Sequence, residues 1–150
     1  MSNDNIQQLV NRYVDVSFSV TKKAEALITE QLGSNLTHDQ LYIIRYINRV
    51  GSCTSTALAE EFEVKKSAIT AIINRLWEKG FIQRTRDEKD RRVVYLTLTE
   101  KGEELFWKID KRIQQLVEGI ISQFEPSEIE QFIKTFEKLN HALIEQRDKK

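Results

Sequence analysis

Residues 64–99 place an amphipathic helix, two short strands and the start of another helix in direct succession, and few folds accept that order. In the first stretch Ile69, Ile72, Ile73 and Leu76 recur at helical spacing, and Gly80 follows as a stop signal. On a wheel of about 100° per residue these four share one side, while Ser67, Thr70, Ala71, Asn74 and Glu78 fall on the other. Residues 81–86 and 93–98 then read as strands, the second alternating Val94, Leu96 and Leu98 with Val93, Tyr95 and Thr97. Every residue of the intervening loop, 87–92, is charged. Helix, hairpin and helix in this order predict a helix-turn-helix followed by a cationic β-wing.

Helical signals dominate the remainder. Ile6, Leu9, Val10, Tyr13 and Val14, then Ala24, Leu27 and Ile28, imply one or two N-terminal helical pieces ending near Gly33. Thr37 and Gln40 are spaced for a capping box, with Leu36 and Leu41 placed for a hydrophobic staple, so a helix starts there and stops near Gly51. Thr54 caps a short helix holding Leu58, Ala59 and Phe62. Thr99 opens a long helix whose stripe runs from Leu105 through Ile109, Ile113, Val117 and Ile120. Pro126, the only proline, suits the first turn of a last helix carrying Phe132, Phe136 and Leu143.

The expected fold is mainly α with a small β-hairpin. It is one domain over 1–150, with a winged helix-turn-helix at about 36–99 between terminal helices at about 5–32 and 100–146. A core of some 65 residues cannot cover three long amphipathic helices, so those helices are expected to form a homodimer; packing within one monomer is the alternative. No apolar run approaches the roughly 20 residues that cross a bilayer, and Met1 to Asn5 lacks the marks of a secretory signal. A cytoplasmic protein without membrane contact is expected. The one cysteine, Cys53, excludes an internal disulfide, and His38 and His141 share no ligand-like spacing with it, so no metal site or cofactor is expected.

Formal charge is zero overall, yet nine basic and four acidic side chains fall between Lys65 and Arg92, leaving that segment at +5 and the rest at −5. Such polarity suits a nucleic-acid partner better than the sum suggests. Lys65 and Lys66, with the free N–H groups of their helix turn, are placed for phosphates. Ser67, Thr70 and Asn74 are placed for base edges, Asn74 particularly for adenine. Arg84, Arg86 and Arg91 add charge to the hairpin, and Arg92 suits the strongly negative potential of a narrow minor groove. Phosphate repels Asp90, but two residues from Arg92 its carboxylate can hold that side chain through a paired hydrogen bond.

The run from Gly80-Phe81-Ile82-Gln83-Arg84 through Asp90-Arg91-Arg92-Val93-Val94-Tyr95-Leu96-Thr97-Leu98-Thr99-Glu100-Lys101-Gly102 resembles the wing of the MarR (multiple antibiotic resistance regulator) family. That wing has an Asp-x-Arg tip and a Leu-Thr-x-x-Gly entry to the next helix. Leu36-Thr37-x-x-Gln40 and Thr54-x-x-x-Leu58-Ala59 resemble the family's second and third helices, so the likeness covers essentially the whole chain in order. It implies a homodimeric transcription regulator, usually a repressor, that binds double-stranded DNA at a pseudo-palindromic operator. It further implies a recognition helix at 65–79 in the major groove and a wing at 87–92 in the minor groove, with Arg92 inserted and Asp90 orienting it, and Thr54 at the interface.

Three positions depart from the family pattern. Glu63 stands in the helix-turn-helix turn where glycine is common, Lys65 replaces a Ser or Thr cap, and Ala71 stands where relatives carry a base-reading arginine. The resemblance also implies a phenolic or lipophilic effector, for which Tyr13, Phe18, Tyr42, Tyr46 and Trp107 are candidate wall residues by placement; the bland reading of such aromatics is core. Cys53 is outside the first helix, where redox-sensing members carry a reactive cysteine; a helix N-terminus beside it is a reason to expect a lowered pKa, against the bland reading of a small semi-buried residue. A thiol enzyme built on it lacks a nearby histidine base, so no enzymatic activity is expected. The competing function is a winged-helix module that binds protein and never DNA.

Overall fold

A computed structural model describes residues 2–149. Helices α1 (Asn3–Leu32), α2 (His38–Val50), α3 (Ser55–Phe62) and α4 (Lys66–Glu78) precede a hairpin of β1 (Ile82–Arg86) and β2 (Val94–Leu98). Helices α5 (Glu100–Ile121) and α6 (Pro126–Asp148) complete the chain. Contacts divide it into two compact units, Met1–Asp110 and Lys111–Lys150. No described helix is long and apolar enough to cross a membrane.

The N-terminal stripe forms one continuous helix rather than two pieces, capped by Ser2 and closed at Gly33. At the start of α2 the capping box forms as its spacing predicts: Gln40 N–H donates to Thr37 Oγ1 at 3.2 Å, and Thr37 N–H to Gln40 Oε1 at 3.1 Å. Leu36 and Leu41, the expected staple, are both buried. Gln40 Oε1 also accepts from Lys79 Nζ at 3.0 Å, and that ammonium donates to Asn35 O at 3.0 Å. One buried amide thus joins the entry of α2 to the exit of α4, a tie that local patterning does not announce.

In the first unit Leu41, Ile43, Ile44 and Ile47 of α2 share a core with Leu58 of α3, Ile69, Ile73 and Leu76 of α4, and Ile82, Leu96 and Leu98 of the hairpin. Ile72, expected with them, is half-buried at the edge. The α3–α4 turn is a Schellman closure: Val64 N–H reaches Ala59 O and Glu63 N–H reaches Glu60 O. Its left-handed position is occupied by Glu63 at φ 56°, and a side chain there costs roughly 1 kcal/mol. The same closure ends α4, with Gly80 at φ 81° and Phe81 N–H donating to Leu76 O.

The hairpin is antiparallel, with Ile82 opposite Leu98 and Arg86 opposite Val94. Cys53 adds a one-residue third strand by exchanging both backbone hydrogen bonds with Leu96, at 3.2 and 2.7 Å. Thr99 caps α5 by accepting from Gly102 N–H at 3.0 Å, while its hydroxyl donates to Gly80 O at 2.6 Å. In the second unit α6 buries no residue, and Phe132 stacks on Phe136 at 5.2 Å with both rings exposed.

Candidate nucleic-acid interface

The expected division of α4 holds. Its buried stripe of Ile69, Ile73 and Leu76 leaves Lys66, Ser67, Thr70, Ala71 and Asn74 exposed on the opposite face. Lys65 is the N-cap but makes no side-chain capping bond, so charge has replaced a cap at this helix end. Thr70 is exposed and its Oγ1 donates to Lys66 O at 2.9 Å, so its hydroxyl proton is engaged and its oxygen remains available only as an acceptor.

Backbone and side-chain bonds organise the wing tip. Asp87 N–H donates to Val93 O at 2.9 Å, Lys89 N–H to Asp87 Oδ1 at 3.0 Å, and Arg86 Nη1 to Arg91 O at 2.8 Å. Asp90 does what its spacing from Arg92 suggests. Its Oδ1 accepts from Arg92 N–H at 3.1 Å and from Arg92 Nε at 3.2 Å, and its Oδ2 accepts from Arg92 Nη2 at 3.4 Å. The Arg92 side chain is 91% exposed, so the carboxylate orients a guanidinium that otherwise stands in open solvent. Exposure makes this an aiming device and not a source of fold stability.

The Arg92 side-chain hydrogen bond, followed by the one from its backbone N–H, holds the Asp90 carboxyl below its ordinary value of 3.8. A depressed carboxylate stays ionised, so the bracing of Arg92 is complete above 3.8 and is lost only as pH falls through the lowered value. In an NMR titration of side-chain carboxyl carbons, the Asp90 midpoint should therefore lie below 3.8 and move up towards it in Arg92→Ala. An unchanged midpoint in the variant would show that Arg92 is not the partner.

Of the sequence-selected residues, Lys65, Lys66, Ser67, Thr70 and Asn74 share one helix surface, and Arg86, Asp90, Arg91 and Arg92 share the wing tip. Arg84 of β1 meets the helix group: its Nη2 donates to Asn74 Oδ1 and its guanidinium lies 5.4 Å over the Trp77 ring. Trp77 is the neighbour of these residues that the sequence does not single out, although an indole three residues past Asn74 on an exposed helix side is the signal that marks it. Thr54 is engaged locally, its oxygen accepting from Ala57 N–H at 3.1 Å as the cap of α3.

The five aromatic candidates are not gathered into one site. Tyr13 and Phe18 line an open recess along α1, Tyr42 and Tyr46 line a second between α2 and α3, and Trp107 lines neither. Tyr46 packs edge-on against Phe62 at 6.0 Å, under the Arg49 guanidinium. The thiol of Cys53 behaves opposite to a helix-activated one: burial pushes it up to about 11, so it is neutral at physiological pH and a packing residue.

The model of the MarR family matches residues 36–94. An uncharacterized HTH-type transcriptional regulator of Bacillus subtilis (strain 168), YwhA, is 36% identical over 98 residues, covering 65% of this chain and 70% of that protein. The HTH-type transcriptional repressor MdtR of the same organism is 34% identical over 99 residues, covering 63% of this chain and 64% of its own. Among solved structures, Streptococcus pneumoniae FabT in complex with DNA superposes with a TM-score of 0.78 at 28% identity, over 93% of this chain and 98% of that one.

Proposed function

This chain belongs to the MarR family, and on that footing we propose that it is a sequence-specific, double-stranded DNA-binding transcription regulator. It acts as a homodimer on a pseudo-palindromic operator, with α4 in the major groove and the wing, 87–92, in the adjacent minor groove. The observation that carries this reading is the Asp90–Arg92 pair, which holds a solvent-standing guanidinium at the end of a wing beside the exposed polar face of α4. A protein-binding wing has no need of an arginine braced for a narrow, negative groove. The likeness to FabT, crystallised in complex with DNA, supports DNA binding, and the likeness to MdtR, a transcriptional repressor, supports repression.

The helices outside the winged core support the homodimer. Ile6, Leu9, Val10 and Val14 of α1 are each about half exposed, as are Val117 and Ile120 of α5 and Phe132, Phe136 and Leu143 of α6. Apolar faces of this extent mark association surfaces, and a two-fold pair would present two α4 helices to half-sites about one helical turn apart. Terminal helices 5–32 and 100–146 are the dimerisation region in this reading.

Lys65, Lys66, Arg91 and Arg92 are exposed on each protomer, so a dimer brings about eight cations to the duplex. Binding to genomic fragments, followed by fluorescence anisotropy, should lose roughly 10³- to 10⁵-fold between about 50 and 200 mM salt. Absence of binding, or binding indifferent to salt, would overturn the proposal in favour of a protein-interaction module.

A further inference from the structure

Alternation along β1 puts Arg84 on the same side of the strand as Ile82, whose side chain is buried in the core beneath α4. Arg84 therefore lies across the outer surface of α4, where it stacks on Trp77 and donates to Asn74. A guanidinium has donors and no acceptor, so the atom it meets on Asn74 has to be the carbonyl oxygen. Chemistry alone settles the amide orientation: Oδ1 turns inward to Arg84, and Nδ2 with its two N–H groups is the half left to face a ligand.

That orientation changes what Asn74 can read. A free asparagine pairs with adenine by using both halves at once, accepting from the N6 amino group and donating to N7. Here one of the two lone pairs of Oδ1 is taken by a cation, whose positive charge disfavours a second incoming donor at the same oxygen. Adenine offers one acceptor and one donor in the major groove, cytosine a donor, and guanine two acceptors, N7 and O6. An outward amide nitrogen with a cation behind it matches two acceptors.

We infer that Arg84 is a positioning residue that makes Asn74 a donor-only reader, so that guanine and not adenine is selected at the base pair beneath Asn74. The inference rests on the DNA-binding reading above and replaces the adenine preference that asparagine suggests by residue type. Arg84 and Trp77 thereby act on specificity without touching a base.

The test is selection of duplexes from a randomised library by the purified full-length protein, run on the natural sequence, Asn74→Ala, Arg84→Met and Arg84→Lys. Asn74→Ala should flatten preference at one base pair in each half-site, identifying the position it reads. At that pair the natural protein should favour guanine. Arg84→Met, which still covers Trp77 but has no donor, should shift the guanine-to-adenine ratio about tenfold towards adenine. Arg84→Lys, which keeps a cationic donor, should restore guanine. A general loss of order would weaken every position alike and would not move one base preference. Adenine preference in the natural protein, an unchanged ratio in Arg84→Met, or no position altered by Asn74→Ala would each overturn the inference while leaving DNA binding intact. Failure of the natural protein to enrich any duplex would overturn the DNA-binding reading and this inference with it.

Discussion

Arg92→Ala should weaken binding to a selected duplex by well over tenfold at fixed salt, with helical content and melting temperature unchanged. The side chain is 91% exposed, so its removal takes nothing from the core. Two losses combine at the groove. The guanidinium leaves the negative potential of the minor groove, and Asp90, left with only the backbone N–H of residue 92, faces phosphate as an anion that no cation offsets. Each occurs twice in a dimer. The double variant Asp90→Ala/Arg92→Ala should recover part of the affinity, because it removes the repulsion while the cation stays missing. Anisotropy at constant ionic strength measures both, and an Arg92→Ala protein that binds like the natural one would refute the role assigned to the wing.

A second large effect concerns the join between wing and α5. Gly102→Ala would place a Cβ 2.0 Å from Phe81 O and 2.9 Å from Phe81 C, both backbone atoms that no rotamer change can move. The same Phe81 carbonyl accepts from Thr99 N–H at 3.0 Å, and Thr99 ties Gly80 O to Gly102 N–H through its hydroxyl. Relief of the clash has to pull α5 away from the hairpin and stretch these bonds together. Overpacking with loss of a hydrogen bond costs roughly 3 kcal/mol, or about 6–12 °C of melting temperature in a chain of this size. Thermal unfolding followed by circular dichroism checks this; a melt unchanged within about 1 °C would show that the two segments do not approach so closely.

Signals that act within one turn or one strand were readable without coordinates. Thr37 and Gln40 cap each other because they are three residues apart, and Asp90 reaches Arg92 because they are two apart. The alternation of β2 and the stripe of α4 likewise follow from the periods of strand and helix. What escaped reading joins residues distant in sequence. Cys53 pairs with Leu96, Lys79 reaches back to Gln40 and Asn35, and Arg84 lies on Asn74 and Trp77. Periodicity says which face of an element is apolar and nothing about which neighbour meets its polar edge. The aromatic candidates line separate recesses of the single chain, since helical spacing puts Tyr13 and Tyr42 on plausible faces without saying which faces meet. Gly102 lies between: the Leu98-Thr99-x-x-Gly102 pattern marks the position, while the backbone carbonyl that forbids a side chain there is visible only in three dimensions.

Hydroxyl-radical footprinting of the natural protein on a selected duplex reports backbone protection at both half-sites and along the flanking minor grooves at once. Two equivalent sets of protections centred about 10 base pairs apart are expected, each flanked by a protected minor-groove patch that becomes accessible in Arg92→Ala. A single protected site, or flanking patches that persist without Arg92, would contradict this mode of binding.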